Sequence, residues 1–246
     1  MPRRCLSGRP CARSPGTAPS SWRHDADNRQ PLRLLSYPRC MTDSNDFRPG
    51  AGRILVVCTG NVCRSPYLER RLRSELRGTG IAVTSAGTGA LAGHEMEPMA
   101  AERLSLAGGD PEGFRARQVT AQMVRNVDLV LCATREHRTT IVRLEPKALR
   151  RTFAVLDFSD LAEHIPPGPP EPSFLDEPDA NFVQRVVSAG TLHRDEVHAR
   201  IDGDADVIDP FQRGEREFDK MAEQLESAIV PIVRVLRTIL TLESAD

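Results

Sequence analysis

From residue 53 to residue 158 the apolar positions fall into short runs, separated by segments whose apolar residues recur every three or four places. Residues 54–57 are Ile-Leu-Val-Val, a continuous aliphatic run that marks a strand buried on both faces. Pro66 stands where the first residue of a helix belongs, with Ser65 ahead of it as a natural N-cap. A helix is therefore predicted from 66 to about 77, ending near Gly78 and Gly80. Residues 81–85 read as a second strand, 98–107 as a helix closed by Gly108 and Gly109, and 120–126 as a short helix. A third buried strand is predicted at 127–132, a helix at 135–144 and a fourth strand at 152–156. Strand and helix alternate, which predicts an α/β fold: a doubly wound, four-stranded parallel sheet with helices on both faces.

The flanks read differently. Residues 1–50 are rich in Arg, Pro, Ser and Gly and hold no period, so a disordered N-terminal extension is expected. A transit peptide fits the same composition, and so does a true start at Met41. Repeated prolines break 166–178, and one or two helices are predicted within 179–200. The region from about 159 to 204 is read as an insertion in a single domain covering 51–246. A long amphipathic helix follows at 214–242, kinked or restarted at Pro231, which cannot donate the i→i−4 bond.

A net charge of −1 points away from nucleic-acid and membrane partners. It conceals a basic first 40 residues, eight Arg against two Asp. No run approaches the roughly 20 apolar residues of a membrane helix, and no apolar stretch follows the Arg3-Arg4 pair as a secretory or twin-arginine signal requires. Cys5, Cys11 and Cys40 lie in the irregular tail, while Cys58, Cys63 and Cys132 sit at or near apolar strands. That placement favours a reducing, cytoplasmic setting over a disulfide framework.

The chemistry concentrates after the first strand. In doubly wound sheets, ligands bind at the carboxyl ends of strands beside helix N-termini. Residues 58–65 thus present backbone N–H groups and a positive helix end to one point, a phosphate-binding loop. Gly60 permits a turn with positive φ, and Asn61 tolerates that region. Arg64 supplies a planar fork for two phosphate oxygens. Such surroundings lower a thiol pKa from about 8.5 to about 3.5–7.5, which makes Cys58 a candidate nucleophile, with the Ser65 hydroxyl able to donate to its sulfur. Cys132 and Arg138 repeat the Cys-x5-Arg spacing, but about one residue in eight is Arg and no glycine lies between them. Cys132 is read as a buried strand-end residue.

The stretch Val57-Cys58-Thr59-Gly60-Asn61-Val62-Cys63-Arg64-Ser65-Pro66 resembles the signature of the low-molecular-weight protein tyrosine phosphatases. Further similarity lies in Ser85-Ala86-Gly87-Thr88-Gly89, Ala116-Arg117-Gln118-Val119 and Asp209-Pro210-Phe211. The loop Gly89-Ala90-Leu91 and the Arg-rich segment 213–216 resemble bacterial members that oppose tyrosine kinases of polysaccharide export. The resemblance implies a metal-independent, cofactor-free hydrolase of phosphotyrosine proteins. In it Cys58 is the nucleophile, Arg64 the phosphate clamp and Asp209 the general acid. Thr59, Gly60, Asn61, Val62, Cys63, Ser65 and Phe211 bind substrate, and Cys63 can capture an oxidised Cys58. Three departures stand out: Phe114 where several relatives have a histidine behind Asn61, Phe211 in place of a commoner tyrosine, and the insertion. Asp202, Asp204 and Asp206 match no complete calcium loop and are read as solvated. Two other readings share the loop, a thiol-dependent arsenate reductase and a non-catalytic phosphoryl carrier or phosphotyrosine-binding module.

Overall fold

The computed structural model describes residues 48, 50–168, 170–173, 175–197, 200–201 and 203–238. The expected disordered extension, apart from Arg48 and Gly50, and Asp202 lie outside the described residues. Strand β1 (Arg53–Cys58) leads through a loop to helix α1 (Arg64–Glu75) and strand β2 (Ala82–Gly87). Helices α2 (Pro98–Leu106) and α3 (Ala121–Arg125) precede β3 (Leu129–Cys132). Helix α4 (Arg135–Leu144) and β4 (Thr152–Ala154) follow, then α5 (Val155–His164), α6 (Phe182–Leu192) and α7 (Glu215–Arg237).

The four strands pair in parallel in the order β2-β1-β3-β4, the predicted sheet. Period-two geometry sends alternate β1 side chains to opposite faces. Ile54, Val56 and Cys58 face a core with α1, α2, α5, α6 and α7, while Leu55 and Val57 face a second core with α3 and α4. Both faces are covered, so the strand reads as an unbroken aliphatic run. The chain leaves β1 toward β2 on one side and returns to β3 on the other. That reversal opens a crevice at the carboxyl ends of β1 and β3, where the loop after β1 sits.

Several boundaries differ from expectation. The fourth strand ends at Ala154, because Val155, Leu156, Phe158, Leu161 and Ala162 bury at helical spacing and form α5. The segment read as an insertion therefore begins inside a helix of the sheet layer. Helix α7 runs through Pro231 as one helix, which excludes a restart there and leaves the expected kink untested; its predicted last residues lie outside the described ones. Among the described residues no helix is long and apolar enough to cross a membrane.

Helix α6 belongs to the core. An Asn181–Gln184 capping box starts it, and Phe182, Val183 and Val186 are fully buried in the larger cluster. Gly52 (φ +113°) accommodates it, since a Cβ there would stand 2.6 Å from Val183 Cβ. Phe182→Ala is therefore expected to lower the unfolding free energy by about 3–5 kcal/mol, the cost of emptying a core aromatic site. Urea denaturation checks this, and a loss below about 1 kcal/mol would mark α6 as an appendage.

Candidate active site

The loop after β1 is shaped by where its carbonyls go. Cys58 O accepts from Thr88 N (2.9 Å), Thr59 O from Gly89 N (3.0 Å), Gly60 O from Leu91 N (3.0 Å) and Val62 O from Glu97 N (2.9 Å). In a planar trans peptide, the N–H of the next residue points the opposite way. The amides of Thr59, Gly60, Asn61 and Cys63 thus turn away from the 88–97 segment and into the loop. Among the described residues they meet no protein acceptor. Inward-facing amides beside a helix N-terminus form a concavity suited to an anion.

The left-handed residue expected at Gly60 is Asn61 (φ 55°), while a Cβ on Gly60 would come no closer than 3.4 Å to Val62 Cγ2. The glycine the loop requires is Gly87, where a Cβ would fall 2.2 Å from Thr59 O. Helix α1 starts at Arg64, two residues before the predicted start, with no side-chain cap. Pro66 stays within the first turn, where no N–H is needed. Ser65 is thus not the cap. Its hydroxyl lies 2.9 Å from Cys58 Sγ, leaving the first-turn amides free to face the ring.

Asn61 braces that contact. Its Oδ1 accepts from Arg117 N (2.9 Å), which fixes Nδ2 as the donor to both Ser65 Oγ and Ser85 Oγ (2.8 Å each). Ser65 Oγ accepts from Asn61, and its own proton is available to donate to the sulfur when that is a thiolate. Ser85 passes its proton to Glu69, which also pairs with Arg73 (3.3 Å). Phe114 takes no part in these bonds; it packs in the core with the Arg70 guanidinium 5.8 Å over its ring.

Arg64 is buried at the rim, its Nη2 donating to Asp209 Oδ2 at 2.6 Å and its Nη1 to Val207 O at 3.4 Å. Among the described residues its buried Nε has no partner. Two bonds hold the Asp209 segment over the loop: Val207 N to Ala133 O (2.9 Å), just past β3, and Ile208 N to Gln224 Oε1 (2.9 Å) on α7. A pocket of about 150 Å³ results, with Cys58, Thr59, Gly60, Val62, Cys63 and Arg64 at its base and Leu91, Asp209 and Phe211 on its walls. Every site residue singled out in the sequence thus lies in this pocket, except Asn61 and Ser65, which brace it from behind.

The sequence did not disclose His137. Placed on α4 beyond β3, its Nε2 lies 2.8 Å from Thr59 Oγ1 and its Nδ1 2.6 Å from Thr134 Oγ1. Burial, then the Arg64 charge, lower its pKa to about 4, so the ring is neutral near pH 7. Burial, then the charges of Cys58 and Glu97, push the Cys63 thiol far up. Cys132 is fully buried in the second core, and burial keeps its thiol protonated too. Asp206 accepts from Arg135 N (2.8 Å). Among the described residues no group of His, Cys, Asp or Glu is placed to hold a metal.

Comparison with known proteins places this geometry. Over 100 residues the chain is 42% identical to the low molecular weight protein-tyrosine-phosphatase Etp of Escherichia coli K12, a match covering 41% of this chain and 66% of Etp. The tyrosine phosphatase Wzb from Escherichia coli K30, in complex with phosphate, superposes with a TM-score of 0.51 at 26% identity, covering 75% of this chain and 91% of that one. The YwlE arginine phosphatase from Geobacillus stearothermophilus superposes at 0.54 and 26% identity, covering 76% and 94%. The model of the low molecular weight phosphotyrosine protein phosphatase family matches residues 53–187. That span is more than half the chain, and it holds the amide ring, Cys58 and Arg64: the chain belongs to this family.

Proposed function

We propose that this protein hydrolyses phosphotyrosine in proteins through a phosphocysteine intermediate. The observation that carries the reading is that Cys58, Arg64, Asp209 and loop amides with no acceptor among the described residues line one pocket. The Cys58 thiolate attacks phosphorus and the bond to the phenolic oxygen breaks, with Asp209 protonating the departing phenolate. Asp209 then takes a proton from water, which attacks phosphorus and releases phosphate and the thiolate. Arg64 and the amides stabilise the equatorial oxygens as charge shifts between them. A dianion competes for the Arg64 guanidinium and so frees Asp209 from its 2.6 Å ion pair to face the leaving group.

The walls favour an aromatic ester. A cavity of 150 Å³ takes a benzene ring, and Leu91, Phe211 and Val62 are apolar. Asp209 is the one acid among the lining residues, so no second carboxylate is present to receive a guanidinium group. The relay a thiol-dependent arsenate reductase needs is not supported, because Cys132 is sealed behind the sheet. A pure carrier would have no use for Asp209. Cys63 lines the same pocket as Cys58, and its condensation with a Cys58 sulfenic acid would give a disulfide and water. The substrates proposed are phosphotyrosine proteins, a tyrosine kinase of polysaccharide export among them.

Cys58→Ser is expected to abolish turnover of p-nitrophenyl phosphate, and surviving activity would reject Cys58 as nucleophile. Asp209→Ala should slow phenyl phosphate by about 10²–10⁴-fold and the activated nitrophenyl ester far less. Stopped assays on both esters decide this, and equal losses would remove Asp209 from the acid role.

His137 Nε2 pairs with the Thr59 hydroxyl, which also accepts from Arg64 Nη2 at 3.4 Å. Its pKa falls from about 6.5 in the unfolded chain to about 4 in the fold, so between those values the unfolded chain binds more protons. Stability should therefore fall as pH drops from about 6.5 to 4, by up to about 3 kcal/mol from this residue. His137→Gln should flatten that part of the curve in urea titrations, and an unchanged slope would show that His137 is protonated in the fold.

A further inference from the structure

An arginine-lined concavity lies outside the catalytic pocket. Helices α4 and α5 with Arg194, Val197 and Arg200 enclose a cleft of about 560 Å³. A second of about 420 Å³ opens beside it, between α4, α6 and the turn at Pro146–Arg151, sharing Arg138 and Arg194 and adding Arg150. The acids of the first cleft are already engaged. Asp157 is gripped by Arg135 at 3.0 and 2.9 Å, and Asp160 by Arg200 at 2.6 Å to each oxygen. Arg138 donates its Nε to Thr152 O (2.8 Å), and neither it nor Arg150 nor Arg194 pairs with a carboxylate among the described residues.

Three uncompensated guanidinium groups around one concavity repel each other and focus a positive potential. Their forks fit carboxylate or phosphate oxygens, and Leu149, Leu161 and Leu175 give the walls apolar surface between them. The cleft borders the catalytic pocket through one helix end. On α4, His137 touches Thr59 while the next residue, Arg138, lines the cleft, and Arg135 N binds Asp206 in the segment leading to Asp209. Part of the outer wall comes from Leu175, Thr191, Arg194 and Val197, within the added segment. We propose that this cleft binds an acidic polypeptide stretch of the substrate protein, carboxylate-rich and flanking the phosphotyrosine, and that the added segment serves to build it. The identity of the ligand as polypeptide rests on the phosphotyrosine-protein reading above.

The test uses the full chain, an Arg138→Glu/Arg194→Glu double variant, and Arg194→Glu alone, a change at an exposed residue with no side-chain partner among those described. A fluorescent Glu/Asp-rich peptide without phosphotyrosine should bind wild type in anisotropy titrations, more weakly as salt rises, and the double variant about tenfold less tightly. The single variant should fall between. kcat/KM for an acid-flanked phosphotyrosine peptide should drop by a similar factor, with p-nitrophenyl phosphate turnover unchanged. Equal peptide binding by all three proteins would overturn the proposal, as would tighter binding of an oligonucleotide or of phosphatidylserine vesicles than of the peptide. If wild type hydrolyses no aryl phosphate, the catalytic reading fails while the anisotropy arm still decides the cleft.

Discussion

The outward pinning of four carbonyls shapes the catalytic end of the sheet. Cys58, Thr59, Gly60 and Val62 each give their oxygen to an amide of the 88–97 segment, and planarity does the rest by turning the following N–H groups inward. A hydrogen bond of this kind contributes about 1 kcal/mol net to stability. The arrangement matters more through the amides it turns inward, which have no acceptor among the described residues and favour negative charge. Close approach at Gly87 makes the pinning possible, and a left-handed Asn61 lets the loop close.

The side chains around the ring extend the same logic. Asn61 converts one backbone donor, Arg117 N, into two oriented donors of its own, and Ser65 accepts from Asn61 with its own proton available to the sulfur. Arg64 shares its guanidinium among Asp209, Val207 and Thr59 and still has an unpartnered Nε. Below this layer, α1 is locked to α7: Arg71 grips Glu226 at 2.8 and 2.9 Å, and Tyr67 donates to the same carboxylate at 2.9 Å. A helix so braced keeps its N-terminus in register with β1, and α7 in turn anchors the segment before Asp209.

Much of this was legible in the sequence, for identifiable reasons. Buried parallel strands appear as aliphatic runs, and the loop declares itself because glycine, asparagine and arginine are needed close together. The start of α1 was misplaced because Ser65-Pro66 looks like a cap and first turn, whereas the serine hydroxyl is drawn to Cys58. The end of β4 was hidden by unbroken apolarity into α5. Contacts between distant positions left no local trace: His137 meets Thr59 across 78 positions and Arg117 meets Asn61 across 56. The apolar face of α6 was readable, but not that Gly52 makes room for it.

The most direct measurement of the central claim is an amide one. In ¹H–¹⁵N spectra of ¹⁵N-labelled protein titrated with inorganic phosphate, the amides of Thr59, Gly60, Asn61 and Cys63 should move downfield together and saturate at one phosphate per chain. Amides that already have protein acceptors, such as Gly93 and Ala116, should stay in place. If phosphate leaves the loop amides unmoved, or shifts them no more than those two, the ring does not hold a dianion above the thiol and the account is contradicted.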